Sequence, residues 1–141
     1  MKTTTYFQHS IEDIIGRLRW VMLLVMLIDT ACTLSGQPPA YWHDPSKANE
    51  IEPVVRFLLV RGVLPFSIAA VFYLIGAFYL VSVAPARIAL TILFALLLAH
   101  FWGATSWLLY HFHYGVRCQN AFEIAIAGFI TLALGREREK P

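Results

Sequence analysis

The fold is decided by residues 60–110, which read VRGVLPFSIAAVFYLIGAFYLVSVAPARIALTILFALLLAHFWGATSWLLY. This stretch contains two long apolar runs, residues 60–82 and 86–110, and its only charged side chains are Arg61 and Arg87. A transmembrane helix needs roughly 20 predominantly apolar residues, so each run is long enough to span a bilayer. Because Pro85 cannot continue a helix, it leaves only a tight turn between the runs. We therefore expect two antiparallel membrane-spanning helices.

Two further apolar runs flank this pair, one towards each end of the chain. We predict an all-α fold, an antiparallel four-transmembrane-helix bundle that forms a single membrane domain of residues 1–141. The four predicted spans cover residues 20–34, 60–82, 86–110 and 120–134, and the outer loops cover residues 35–55 and 111–119. Residues 11–18 mix apolar and charged positions, which predicts a short N-terminal amphipathic helix lying along the membrane surface.

The composition excludes several classes of protein. Of the 141 residues, 58% are hydrophobic and 14% are charged, and the mean hydropathy is +0.62. Soluble domains contain about 25% charged residues, so a soluble enzyme and a disordered tail are excluded. The formal net charge of only +2 is not that of a nucleic-acid-binding protein, so we expect no nucleic-acid partner.

The orientation follows from the lysines and arginines near the ends of the spans. With the N-terminus inside, the inner side carries Lys2, Arg17, Arg19, Arg87, Arg136, Arg138 and Lys140. The outer side carries Lys47, Arg56, Arg61 and Arg117. Since positive charge is enriched on the cytoplasmic side, we expect both termini to be cytoplasmic and the membrane to be the bacterial inner membrane.

A few polar residues lie within the predicted spans, where charge is expensive. Asp29 is near the outer end of the first span, Thr33 follows on the same helical face, and Arg61 is the nearest cation at a similar depth. His100 is near the middle of the third span. One interpretation is an intramembrane binding site that uses these four residues, with His100 as a haem or metal ligand or as a hydrogen-bond partner for a quinone. The other is a structural ion pair between Asp29 and Arg61, with His100 an ordinary interior histidine.

Asp29 and His100 lie at different distances from the outer ends of their predicted spans, and therefore at different predicted depths in the membrane. The two side chains are expected to lie about 8 Å or more apart along the membrane normal, at 1.5 Å per residue. On that basis we do not expect them to share a first coordination shell.

The outer loops carry a second polar group. His43, Glu50, His111 and His113 fall on one face of the membrane in the predicted topology. Two imidazoles from the His111-x-His113 pair and a carboxylate are suitable ligands for a divalent metal. The alternative is that these residues are solvated loop side chains that bind nothing. The two cysteines, Cys32 and Cys118, are also near the outer side, which predicts either a disulfide between them or two free thiols.

Small residues mark candidate packing surfaces. Ala95, Ala99 and Gly103 recur at four-residue spacing on the third span, and Ala125 and Gly128 lie on the fourth. Rows of this kind let helices approach closely, so we expect them to contact other helices. The spans also carry aromatic side chains whose faces suit lipid, quinone or pigment, and no cofactor is assigned beyond that.

Two segments resemble a known family. Asp29-x-x-x-Thr33 ends the first span, and Ala48-Asn49-Glu50-x-x-Pro53 precedes the second. The chain is similar in these segments to a family of small four-helix prokaryotic membrane proteins with an Ala-Asn-Glu-x-Asn-Pro signature; Glu52 stands in place of its second Asn. The resemblance implies the four-helix topology and draws attention to Asp29 and Glu50. The family has no settled activity, so the resemblance implies no mechanism.

Three functions are compatible with these patterns. We expect an accessory or structural subunit of a larger integral-membrane complex, which acts by lateral helix packing against other membrane subunits and lipid. The first alternative is a small metal, redox or hydrolytic enzyme that uses the outer His and Glu residues, although no catalytic residue is assigned. The second is a homo-oligomeric carrier or channel. That alternative is disfavoured because the inner halves of the spans lack polar residues.

Overall fold

The computed structural model describes residues 2–111 and 115–135, with side chains described for residues 11–111 and 115–134. Every regular element in this part of the chain is helical, which confirms the all-α class. The helices are α1 (Lys2–Ser35), α2 (Pro53–Leu59), α3 (Val63–Val83), α4 (Ala86–His111) and α5 (Gly115–Gly135). Two 3-10 turns, Pro39–Trp42 and Pro45–Lys47, lie between α1 and α2.

Three helical segments in the described residues are long and apolar enough to cross a membrane. They are Ile11–Ser35 within α1, Val63–Val83 and Ala86–His111. These segments confirm the membrane character and correspond to the first three predicted spans. The fourth predicted span, residues 120–134, lies within α5, which is not among the three.

Helix α1 differs from the prediction at its beginning. Residues 11–18 do not form a separate amphipathic helix but are continuous with the rest of α1. The reason is the spacing of the buried residues, since Ile15, Leu18 and Met22 follow one another at helical intervals and all enter one core. One buried face therefore continues along α1 from residues 11–18 into the first predicted span, which was expected to begin at residue 20.

The second predicted span, which starts at about residue 60, corresponds to α3. A break separates α2 from α3, and the spanning helix begins at Val63. Gly62 lies in this break with φ of 109° and ψ of 169°, a conformation that is essentially restricted to glycine. The second predicted outer loop, residues 111–119, is shorter than expected because α5 begins at Gly115.

One core connects α1 with α3, α4 and α5. Met22 and Val25 of α1 and Leu93 of α4 have no exposed surface, and Val81 of α3 and Ile126 of α5 are almost as buried. The short turn at Pro85 makes α3 and α4 antiparallel neighbours. Helix α4 consequently runs parallel to α1.

The first outer loop folds onto the ends of α1 and α3. The Tyr41 hydroxyl donates to the Leu59 carbonyl oxygen at 3.2 Å, and burial raises the pKa of this phenol. The buried Gln37 amide donates to the Thr33 carbonyl oxygen and accepts a bond from the Asn49 backbone N–H at 2.8 Å. These bonds make the loop an ordered cover over the break that precedes α3.

Substitution at Gly62 tests this break. We expect Gly62→Ala to lower the free energy of unfolding by about 1–3 kcal/mol, since alanine is strained at positive φ. The nearest side-chain atom to an added Cβ is 4.0 Å away, so the cost would come from the backbone alone. Gly76→Ala is the matched control, because an added Cβ there meets nothing within 4 Å and alanine favours helix. Thermal unfolding in detergent, followed by circular dichroism, compares the two variants; equal stabilities would contradict the expectation.

Candidate intramembrane polar site

Three helices bring one polar side chain each to a common point. The Asp29 carboxylate of α1 lies 2.7 Å from Nδ1 of His100 in α4, measured to Oδ2. On the other side of the imidazole, Nε2 of His100 lies 3.1 Å from the hydroxyl oxygen of Tyr73 in α3. The result is a continuous chain of hydrogen bonds, Asp29–His100–Tyr73, which we call the relay.

The relay runs from the interior of the protein to its surface. The side chains of Asp29 and His100 are 17% and 19% exposed. Tyr73 is 50% exposed. It lies midway along the spanning helix α3, so its exposed part faces the surroundings of the protein within the membrane. An ionisable pair at such a depth is expensive, which makes the relay a candidate functional site by default.

Gly103 allows the close approach of α4 to α1 at this point. A Cβ added to Gly103 would lie 2.6 Å from Oδ1 of Asp29, closer than real atoms pack. Gly103 is also one turn from His100, so both residues face the carboxylate. The helix that approaches closely at Gly103 is α1 of the same chain, so this glycine packs inside the protein rather than against another subunit.

The separation of Asp29 and His100 expected from the sequence is also wrong. Gly36, just beyond the end of α1, packs directly against the ring of Trp107 in α4. Asp29 precedes Gly36 by seven residues, and His100 precedes Trp107 by the same number. The contacts Asp29–His100 and Gly36–Trp107 therefore have the same offset, as expected for two parallel helices in constant register. Helix α4 then continues to His111, beyond the end of α1, so the outer ends of the two helices are not level.

The other two residues of the predicted intramembrane site do not join the relay. Arg61 donates to the Phe57 carbonyl oxygen at 2.7 Å, and its guanidinium group lies 3.3 Å from the centre of the Phe57 ring. The predicted Asp29–Arg61 ion pair is therefore not formed. Thr33 is buried, but among the described side chains no hydrogen bond joins its hydroxyl to Asp29.

The relay can hold its proton in two arrangements. With neutral His100, Nδ1–H donates to Asp29 and Nε2 accepts from the Tyr73 hydroxyl. With protonated His100, both ring nitrogens donate, so the Tyr73 oxygen becomes the acceptor and its O–H is free to point away. A change of one proton on His100 thus switches the hydrogen-bonding character of the exposed Tyr73 hydroxyl.

The predicted metal site is not assembled by its described members. No group of three His, Cys, Asp or Glu side chains suited to a metal occurs within residues 11–111 and 115–134. His43 is exposed, and the His111 ring packs against Trp107 with centroids 4.2 Å apart. Glu50 instead accepts the backbone N–H groups of residues 51 and 52, at 2.7 and 3.0 Å. His113 lies outside the described residues.

Neighbouring acidic residues of the first outer loop have similar local roles. The Glu52 carboxylate caps the start of α2 by accepting the Val55 backbone N–H at 2.6 Å. Asp44 accepts the Ser46 backbone N–H at 3.0 Å, and this hydrogen bonding lowers the pKa of the Asp44 carboxyl. These carboxylates stabilise turns and helix ends, a role that competes with metal ligation.

The remaining predicted residues are separate from the relay. Both cysteines are free, with Cys32 buried in α1 and Cys118 exposed in α5, so the predicted disulfide is not formed. Ala95 and Ala99 are exposed on α4, and Ala125 and Gly128 are exposed on α5. Gly103 packs inside the protein, whereas these four small residues are exposed on the surface that was predicted to contact other helices.

Tyr73 is the site residue that the sequence did not single out. It was predicted only as part of an aromatic, lipid-facing surface. The available signal was its hydroxyl, since a tyrosine in the middle of an apolar span needs a hydrogen-bond partner. Comparison of the chain with family models, curated proteins and solved structures gives no match.

Substitution at Gly103 tests the geometry of the relay. We expect Gly103→Ala to destabilise the protein by about 1–3 kcal/mol, because the added methyl group forces α4 away from Asp29. Gly128→Ala is the matched control, since its added Cβ meets nothing within 4 Å. The thermal midpoints of both variants in detergent provide the measurement, and an unchanged Gly103→Ala midpoint would show that α4 does not approach Asp29 this closely.

Proposed function

We propose that the relay binds the polar head of a lipid-soluble quinone or quinol inside the membrane. The observation that carries this proposal is the half-exposed Tyr73 hydroxyl, hydrogen-bonded to His100, which is in turn hydrogen-bonded to Asp29. The ligand would reach Tyr73 from the bilayer without crossing the protein. Of the positions predicted for a quinone, the aromatic faces and His100, the proposal selects the relay that contains His100.

The proton arrangement of the relay matches the two forms of such a ligand. A quinone has carbonyl oxygens that only accept hydrogen bonds, whereas a quinol has hydroxyl groups that also donate. With protonated His100, the free Tyr73 O–H can donate to a quinone carbonyl. With neutral His100, the Tyr73 oxygen can accept from a quinol hydroxyl. The bond from Nδ1–H of His100 to Asp29 is the same in both arrangements, so only the Tyr73 end of the relay changes.

The topology that we propose has four spans, with α5 as the fourth. Its 21 residues are long enough, at about 31 Å, to cross the hydrocarbon core. One face of α5 packs in the shared core through Phe122 and Ile126. The carboxylate of Glu123, on α5, accepts a hydrogen bond from the Gln119 amide at 2.9 Å, which reduces the cost of its burial. Four spans place both termini on one side, and the distribution of Lys and Arg favours the cytoplasmic side of a bacterial inner membrane.

A labelling experiment in lipid vesicles tests the quinone site. We expect a photoreactive benzoquinone to label the protein saturably, in competition with unlabelled short-chain benzoquinone. Tyr73→Phe removes one hydrogen bond to the ligand, and a bond worth about 0.5–1.5 kcal/mol corresponds to a loss of roughly 2- to 10-fold in affinity. The affinities are read from the competition curves.

The matched control is Tyr79→Phe. Tyr79 lies on the same helix and is 66% exposed, and its hydroxyl makes no hydrogen bond among the described side chains. Its substitution should leave labelling unchanged while altering the lipid-facing surface to the same degree. Unsaturable labelling of the wild-type protein, or equal affinities of the two variants, would contradict the proposal.

A second candidate function is that of an accessory subunit in a larger integral-membrane complex. It is favoured by Ala95 and Ala99, which are exposed one turn apart on a spanning helix, where small residues permit close helix contact. Lateral packing of another subunit or of a second copy against α4 would cover them.

Native mass spectrometry after extraction in mild detergent tests the second candidate. We expect other membrane chains, or a second copy, to accompany the wild-type protein and to be lost from the Ala95→Leu, Ala99→Leu double variant. Gly76→Leu is the control, because it adds similar bulk at an open position on α3. A wild-type protein that is monomeric, or a double variant that retains its partners, would argue against packing through this face.

A further inference from the structure

The segment that precedes α3 exposes an apolar surface. Ile51 is 95% exposed, and Val54 and Phe57 are 65% and 56% exposed. The opposite face of α2 is apolar as well, but it is buried, with Leu59 at 0% exposure in a small cluster that includes Phe66. Helix α2 thus has two apolar faces, of which only one is covered by the protein.

We propose that α2 lies in the interfacial layer of the membrane and inserts its Ile51, Val54 and Phe57 face into lipid. The exposed surface of α2 continues into that of α3, where Leu64 is 70% and Ile68 is 50% exposed. These α3 side chains belong to a helix that is long and apolar enough to span a membrane, where their exposed surface would face lipid. Since only Val60, Arg61 and Gly62 separate the two helices, α2 lies at the level where the span enters the bilayer.

The arginine of α2 and the one in the break after it fit the phosphate layer of a lipid surface. Arg56 and Arg61 are both exposed, and arginine pairs well with phosphate oxygens. Arg61 lies over the Phe57 ring, an arrangement that places a cation directly beside an inserted apolar group. The carboxylates of Glu50 and Glu52 are held by backbone N–H groups of the same segment. The arginines fit an anionic headgroup layer, and the continuity of this surface with the exposed apolar side chains of α3 favours lipid over a protein surface.

An interfacial position of α2 also sets the depth of the relay. Tyr73 follows Gly62 by 11 residues, which is about 16 Å along a helix. Half of a typical hydrocarbon core is about 15 Å. With α2 held at the surface, the Tyr73 hydroxyl lies near the middle of the bilayer. This inference does not depend on the identity of the ligand at the relay.

Spin-label accessibility in vesicles of phosphatidylcholine and phosphatidylglycerol tests the position of α2. The background carries Cys32→Ser and Cys118→Ser, and single labels are introduced through Val54→Cys and, as an aqueous control, Lys47→Cys. We expect the label at position 54 to collide readily with oxygen and poorly with a water-soluble nickel chelate. Its oxygen-to-nickel ratio should be several-fold higher than that at position 47, where the side chain is exposed and charged.

The alternatives give different signatures. A label at position 54 that is as accessible to nickel as the label at position 47 would place α2 in water and overturn the proposal. A label protected from both reagents would show that protein covers this face, which also overturns it. Ile51→Cys provides a second label on the same face, should the Val54 variant lose its helical circular dichroism, and the same ratio is expected there.

Discussion

The structure depends on the need to satisfy one carboxylate within the membrane. Asp29 is only 17% exposed and is the single charged residue in positions 20–35 of α1, and an unpaired charge there would cost at least about 2.5 kcal/mol. His100 provides a partner at 2.7 Å, but only because Gly103 lets α4 come close enough. The bond fixes the register of two helices that are far apart in the chain, α1 and α4. The same contact that makes the fold possible therefore creates the polar site.

The stabilising and chemical roles of the relay are difficult to separate, since they use the same bonds. Structural need alone accounts for the pairing of Asp29 with His100, because a carboxylate and an imidazole satisfy each other. It accounts less well for Tyr73, which is half-exposed and extends the chain of bonds to the surface of the protein. A purely structural pair would be better protected if it ended inside. The surface end of the relay is the feature that favours ligand binding.

Hydropathy and helix-breaking residues were sufficient to predict the spanning segments. Pro85 marked the turn between α3 and α4 correctly, and the long apolar runs located three spans. The pairing of Asp29 with His100 was not predictable, because depths were counted from span ends that proved not to be level. The role of Gly103 was misjudged for a related reason: a row of small residues indicates close packing but not which helix approaches. The outer carboxylates were misjudged because capping and metal ligation use the same residue types, and Glu50 and Glu52 accept local backbone bonds instead.

The depth of the relay restricts what can bind to it. In a medium of low dielectric constant, hydrogen bonds are strong, so a ligand that bonds to the exposed side of the Tyr73 hydroxyl gains from that bond while Tyr73 keeps its bond to His100. A purely apolar molecule cannot form such a bond, and a charged one would bear the cost of entering the bilayer. An uncharged molecule with oxygen atoms that can accept or donate meets both conditions. Because protonation of His100 reverses the direction of its bond to Tyr73, one site can serve an acceptor and a donor form of the same ligand. For the proposed ligand, these conditions favour an uncharged molecule with hydrogen-bonding oxygen atoms, the class to which a quinone belongs.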